Sequence, residues 1–322
     1  MPWSPTTLRM ALAALSLACL LALKGQEAPQ EDAPFSVQFM KDAPELLIPR
    51  DERLTFLVKV GVGVLGASVG TVNMESSVKP TSQGIVLLAP GGQAPTGGER
   101  AEMLITAKGD YQFYSLDAMI KTTIHPQSWP WIVYRFEQSG SKVAKRELIL
   151  GTQGEKPHAR LKRDTSTNAP KGTRIWKAPK ERDLPVLAID LLSSVYYARN
   201  MVREDLAQMS FPVADKLDLW ELRLRRGKEG VLETDAGSFD GVQILLQPRL
   251  YPGEESEKAK ARAAEFEGLF GLKGSIELWV ERSTGVPLLI TGEIPVGLGI
   301  ALDVEVVLQS YSGTPPEFRP VS

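Results

Sequence analysis

Cysteine and histidine are almost missing from this chain: 322 residues hold one Cys and two His. A lone Cys19 excludes an internal disulfide framework, which needs cysteines in pairs. With His125 and His158 it cannot fill the four Cys/His positions of a structural zinc site, so no metal and no other cofactor is expected. An excess of charge is missing too. Lys and Arg number 37 against 39 Asp and Glu, a net charge of −2. That balance lacks the basic footprint of a nucleic-acid binder. Long apolar runs are absent apart from Met10–Leu23, broken only by Ser16. That run falls short of the ~20 residues that span a bilayer.

What stands at the N-terminus is the layout of an export signal. Arg9 precedes the apolar run, and no acid occurs before Glu27. A basic start followed by an apolar core is how secretory signals are built. Three outcomes stay open. Cleavage near Gly25 discards Cys19. Alternatively, Ser16-Leu17-Ala18-Cys19 acts as a lipoprotein signal and Cys19 carries lipid. In the third, the apolar segment is retained as an anchor. Residues 1–25 are therefore read as a signal, 26–50 as a flexible Pro-bearing leader, 51–312 as one domain and 313–322 as a tail. Nearly 300 residues suffice to bury a sizeable core without disulfides.

From Arg53 onward most segments alternate with a period of two. Leu54, Phe56, Val58 and Val60 share one phase. Ser68–Val78, Gly84–Leu88, Ala101–Lys108, Ile120–Ile124, Trp131–Glu137 and Val143–Leu150 follow, bounded by Gly, Pro, Asn or Ser. Such runs are strands joined by turns, with a loop at Pro90–Gly98, a turn at His125–Ser128 and a hairpin around Ser139-Gly140-Ser141. His158–Asp164, Thr173–Lys177, Leu217–Arg225, Gly230–Thr234, Val242–Leu246, Ser275–Glu281, Val286–Gly292 and Ile300–Gln309 continue the pattern. Two segments depart from it. Leu184, Leu187, Leu191, Leu192, Val195 and Tyr196 recur at helical spacing, predicting a helix over Leu184–Met201 capped by Asp183 with Pro185 in its first turn. Glu254–Phe270 carries Glu and Lys three apart, which suits an exposed helix. The expected fold is mainly β: a strongly curved antiparallel sheet, half-barrel or β-meander, with one embedded helix and one surface helix.

The block Asp190-Leu191-Leu192-Ser193-Ser194-Val195-Tyr196-Tyr197-Ala198-Arg199 resembles the uncharacterised bacterial family catalogued as domain of unknown function 3108. Other stretches match that family in order: Asp51–Phe56 with Gly66–Gly70, Gly237-Ser238-Phe239, and Leu278-Trp279-Val280 followed by Gly285-Val286-Pro287. The resemblance spans Asp51 to Gln309. The long Glu254–Phe270 insertion departs from it, as does Glu281-Arg282-Ser283 in the last turn. The resemblance implies an exported protein of the periplasm or outer envelope of a Gram-negative bacterium and implies no activity.

Chemistry-bearing residues are few. His125 and His158 each adjoin a proline and read as solvated turn residues. Gly61–Gly70 lacks the lysine and following helix of a phosphate loop and reads as a bulge or a bend where strands cross closely. Asp215, Asp218, Asp235 and Asp240 lie near turns, where a converging pair would serve glycan hydrolysis. Asp190 and Arg199 lie nine residues apart, on opposite sides of one helix, so they cannot pair within it. Arg199 then either holds an anionic ligand or satisfies strand carbonyls or a carboxylate. A set of aromatics suits the wall of an apolar site: Trp131, Tyr134, Tyr196, Tyr197 and Trp279. The basic stretch Lys156, Arg160, Lys162, Arg163, Lys171, Arg174, Lys177, Lys180 and Arg182 is either a solvated face or a contact for envelope lipid, lipopolysaccharide or acidic glycan. Three functions follow: non-enzymatic binding of an apolar or amphipathic envelope ligand or a partner protein, glycan hydrolysis by paired carboxylates, and a structural part in an envelope complex.

Export predicts a mature chain lacking about twenty-five residues, or one carrying lipid on Cys19, by intact-mass measurement. A full-length, unmodified product in the cytoplasm contradicts this reading.

Overall fold

Period-two alternation with short turns dictates hairpins, and hairpins in series dictate an up-and-down sheet. A computed structural model describes residues 46, 48–62, 65–80, 99–111, 114–124, 131–141, 143–164, 177–254, 272–297 and 300–321. Among the described residues, fourteen strands form one antiparallel sheet: β1 (Asp51–Val62), β2 (Leu65–Pro80), β3 (Glu99–Tyr111), β4 (Tyr114–Ile124), β5 (Ile132–Gly140), β6 (Ala144–Gln153), β7 (Lys156–Asp164), β8 (Lys180–Asp183), β9 (Gln208–Asp215), β10 (Asp218–Thr234), β11 (Gly237–Leu250), β12 (Lys273–Glu281), β13 (Pro287–Gly297) and β14 (Ile300–Ser312). Their order is β8-β7-β6-β5-β4-β3-β2-β1-β14-β13-β12-β11-β10-β9. The first and last strands pair in the middle, with Leu54 opposite Tyr311 and Val60 opposite Val304. The break in this sequence of pairings falls between β8 and β9, so the sheet is not closed into a barrel.

Alternation sorts the side chains as expected. Leu54 and Phe56, Met103 and Ile105, Ile132 and Tyr134, and Leu222 and Leu224 are buried in one continuous core. Gly70 shows why the β2 bend needs glycine. A Cβ there would lie 2.1 Å from the Lys108 carbonyl oxygen, where the strand faces Gly109. The β1–β2 register also shifts between Val58 and Lys59, the irregularity expected for Gly61–Gly70.

The one helix among the described residues, α1 (Leu191–Arg203), is buried from Leu191 to Val202. It starts seven residues later than its apolar spacing predicts, and its cap is Asp190, not Asp183. The reason is that the preceding segment is already spoken for. Leu184 N–H donates to the Pro157 carbonyl (2.8 Å), and Ile189 exchanges bonds with β9 through Pro212 O (3.0 Å) and Ala214 N–H (2.8 Å). Residues 184–190 therefore run as an extended strap from the β7–β8 edge to the β9 edge, with Pro185 inside the strap. The helix ends where Asp205 turns left-handed (φ 53°) and Leu206 N–H reaches back to the Met201 carbonyl (2.9 Å), a capped C-terminus.

Other differences are local. Leu217–Arg225 and Gly230–Thr234 form one strand, β10, whose register shifts between Arg226 and Glu229. The outer strand on one side is Lys180–Asp183, and Lys177 lies in no strand. The segment after β14 returns to the core: Phe318 stacks on Phe239 (4.7 Å between centroids), and Val321 N–H donates to Ser238 O (2.7 Å). The signal, most of the leader, Cys19, the Gly84–Leu88 strand, the Pro90–Gly98 loop, the His125 turn, most of Thr173–Lys177 and nearly all of the Glu254–Phe270 helix lie outside the described residues.

Leu192 is fully enclosed. Leu192→Ala is expected to cost ~2–5 kcal/mol by lost transfer energy and the cavity left behind. Exposed Lys156→Ala is expected to stay within about 0.5 kcal/mol. Urea denaturation of both variants checks this; small and equal losses contradict the placement of α1.

Candidate functional site

An almost wholly buried helix must satisfy its polar groups inside the protein. Asp190 does so at the N-terminus. Its carboxylate accepts from Leu192 N–H (2.9 Å), Ser193 N–H (3.2 Å), Ser193 Oγ (2.5 Å) and Thr122 Oγ1 on β4 (2.7 Å). Burial pushes the Asp190 carboxyl above its ordinary range, and these four donors pull against that rise. Arg199 anchors the far half. Its two terminal nitrogens donate to the two Glu52 carboxylate oxygens on β1 (2.5 and 2.9 Å), a two-point contact. Its guanidinium lies 5.4 Å from the Tyr196 ring centre. Gly285 lets the β12–β13 turn approach: with φ at 69°, an added Cβ would lie 2.6 Å from the Arg199 carbonyl oxygen.

Beneath the N-terminal half of α1 lies a cavity of about 60 Å³. Leu191, Ser194 and Val195 cover it from the helix at one-turn spacing, and Phe56, Met74, Leu222, Leu278 and Val306 are among the side chains facing them. Among the described residues, Ser194 is the one polar side chain in the lining, and its hydroxyl donates to the Leu191 carbonyl (2.6 Å) rather than into the space. The cavity is therefore apolar.

None of the six expected wall and anchor residues lines it. Tyr196 and Tyr197 are core residues of α1, Tyr197 packing on Phe211 of β9 at 5.0 Å. Tyr134 is buried on β5. Burial raises the hydroxyl pKa of all three, so each stays protonated. Trp279 stands between buried Leu278 and Val280, which alternation puts on the opposite face from the cavity. Trp131 lies over Gly151, whose added Cβ would meet its ring at 2.3 Å. Of the two roles weighed for Arg199, the structure displays the carboxylate contact.

Other candidates disperse. Asp215 pairs with Arg146 (3.7 Å) and Asp240 with Arg282 (2.7 Å). Asp215 and Asp218 face each other across the β9–β10 turn. His158 is buried, not solvated; its Nδ1 lies 2.9 Å from Asp183 on β8. Gly66-Ala67-Ser68-Val69-Gly70 has the spacing of a nucleophile elbow. It lies within β2, with Ser68 exposed and paired to Lys59, and not on the strand-to-helix turn such catalysis needs. Three cations of the basic stretch meet acids: Arg160 with Glu181 (2.9 Å), Lys162 with Glu147 (3.1 Å) and Arg182 with Glu254 (2.5 Å). Among the described residues, no helix is long and apolar enough to cross a membrane, and no three His, Cys, Asp or Glu converge on a metal-sized site.

Two polar partners escaped the sequence reading. Glu52 lies in phase with Leu54 and Phe56, and Thr122 in phase with Ile120 and Ile124. A carboxylate or hydroxyl in the inward phase of a strand calls for a buried partner, and that is the signal that finds them.

The described residues thus form an open antiparallel meander curled around α1, with an apolar cavity beneath it. It is similar in fold to a beta-barrel-like protein of the domain of unknown function 1849 from Brucella abortus. The identity is 10%, the match covers 82% of this chain and 98% of that one, and the TM-score is 0.47. A candidate lipoprotein from Parabacteroides distasonis aligns over 87% of this chain and all of that one, at 10% identity and a TM-score of 0.27. No protein-family model and no curated protein matches the chain.

Removing the guanidinium strands a buried carboxylate. Arg199→Ala is expected to destabilise by ~3–5 kcal/mol, and the apolar pair Arg199→Met with Glu52→Met to recover most of that loss. Chemical denaturation measures both. A loss under about 1 kcal/mol for Arg199→Ala contradicts a structural ion pair.

Proposed function

We propose that this chain is an exported envelope protein that binds an apolar or amphipathic ligand between α1 and the sheet, without catalysis. The observation that carries the reading is the apolar cavity under Leu191, Ser194 and Val195, into which no polar side chain of the described residues points. A site walled this way rewards hydrocarbon and penalises any group that needs hydrogen bonds. At about 60 Å³ it holds a few carbon atoms, whereas sites for drug-sized ligands run to ~300–1,000 Å³. Binding an acyl chain therefore requires α1 and the strands to part. The break between β8 and β9 supports such a motion, because among the described residues no ladder joins these two edge strands and the strap connects them. The absence of catalysis is supported by the chemistry present: the described histidine is held by Asp183, and Asp215 and Asp240 have arginine partners. The resemblance to domain of unknown function 3108 and the export signal support placement in the periplasm or outer envelope.

The purified protein is expected to enhance the fluorescence of N-phenyl-1-naphthylamine and to release it on adding a long-chain fatty acid. Val195→Phe fills the cavity and is expected to weaken probe binding by about tenfold or more, with the fold retained by circular dichroism. Absence of probe binding, or an unchanged affinity in Val195→Phe, contradicts the proposed site.

A further inference from the structure

Strand β10 is 17 residues long and its outer neighbour β9 only 8. β9 pairs with Asp218–Arg225, and one further bond on that side runs from Arg226 N–H to the Ala207 carbonyl (2.9 Å). The C-terminus of α1 explains the stop. The left-handed turn at Asp205 brings the chain in from the helix at this level, so no strand precedes β9 to continue the ladder. From Gly227 to Thr234, β10 therefore borders β11 on one edge and, among the described residues, nothing on the other. At ~3.3 Å per residue this run presents roughly 26 Å of unpaired strand.

The outermost strands are guarded differently. β8 is four charged residues, and the strap bonds to β9 through Ile189. On β10 the register shift between Arg226 and Glu229 sits at the base of the free run, and beyond it Gly230–Thr234 pairs regularly with β11 and holds no proline. Alternation puts Glu229, Val231 and Glu233 on the exposed face and turns Leu232 toward the core. Val231 is 63% exposed, the most exposed large apolar side chain among the described residues. Glu229 is neutralised by Arg282 (2.7 Å) and Arg226 (3.3 Å). Glu233 accepts from Ser238 Oγ (2.6 Å) and meets no cation among the described residues.

We propose that this edge takes up a strand from a partner protein: an extended segment carrying an aliphatic residue with a Lys or Arg two positions from it. Backbone hydrogen bonds to the open edge hold such a segment, and the side chains opposite Val231 and Glu233 select it. A second copy of this chain fits worse. Pairing two such edges about Val231 sets Glu229 opposite Glu233 twice, like charge against like charge. The site is separate from the cavity under Leu191 and Val195, and its occupation does not depend on that cavity taking a ligand.

The test uses the full chain and a labelled peptide, Thr-Lys-Thr-Val-Thr-Lys-Thr, whose palindromic order serves either strand direction. Fluorescence anisotropy is expected to read saturable binding, weakened about tenfold or more by Glu233→Lys and by Val231→Lys. The same peptide with Glu in place of both Lys is expected not to bind. Hydrogen exchange is expected to slow at the amides of Gly230–Thr234 when the first peptide is added. Thermal melting confirms that the variants fold; Glu233→Gln and Val231→Ser replace them if either melts early. No binding up to about 1 mM peptide, equal binding of the Glu peptide, binding that survives both substitutions, or protection confined to other strands overturns the proposal. A dimer of the chain that is lost in Val231→Lys, with no peptide bound, also overturns it and assigns the edge to a second copy.

Discussion

A helix surrounded by a sheet has no water to turn to, and every polar group it carries must find a partner in the wall. That constraint organises this molecule. Residues 191–202 of α1 are all buried. Two polar contacts tie the helix to its surroundings near its two ends: Asp190 with Thr122 of β4, and Arg199 with Glu52 of β1. A buried charge left alone costs several kcal/mol, so each contact fixes the rotation and the height of the helix as well as its presence. Apolar packing then fills the space between. Tyr197 against Phe211 seats one side on β9, and Leu191 with Val195 faces the strands on the other.

The same helix resolves the sheet's unfinished circle. Strands β8 and β9 are consecutive in the chain yet stand at opposite edges, and the strap that feeds α1 crosses from one to the other. Polar contacts supplement it: Arg182 donates to the Leu217 carbonyl (3.1 Å) and Arg146 pairs with Asp215 (3.7 Å). An opening held by a few backbone bonds and side-chain contacts has fewer backbone hydrogen bonds across it than a continuous ladder, which pairs strand with strand along its length. The account of ligand entry rests on that difference. The core beneath α1 separates most readily where the sheet is not laddered, and the charged four-residue edge β8 resists pairing with other chains.

How much of this was legible beforehand follows from which signals are local. Period-two alternation is local, so the mainly β class and most strand positions read directly from runs such as Ala101–Lys108 and Trp131–Glu137. The helix was legible from its apolar spacing, but not its start. Leu184 and Leu187 sit three and four residues from their neighbours and so continue the helical stripe on paper, while the backbone of Leu184 is claimed by β7 and that of Ile189 by β9, more than twenty residues away. The candidate site was legible in place and not in membership. Aromatic residues suggest walls because they are large and apolar. Tyr196 and Tyr197 instead fill the core, and alternation turns Trp279 away from the cavity. Mostly aliphatic residues line the cavity, with Phe56 among them, and nothing in their individual identities sets them apart from other core positions. The Arg199–Glu52 contact joins residues 147 positions apart, a distance no spacing rule reaches.

The claim that most needs an answer is that the space under α1 is built to be occupied. Native mass spectrometry of the protein purified from its own envelope, without detergent exchange, addresses it directly. The account predicts a population heavier than the mature chain, whose excess mass is non-covalent and passes into organic solvent as an apolar or amphipathic molecule. A single mass equal to the mature chain, from protein that also fails to take up added fatty acid, contradicts it.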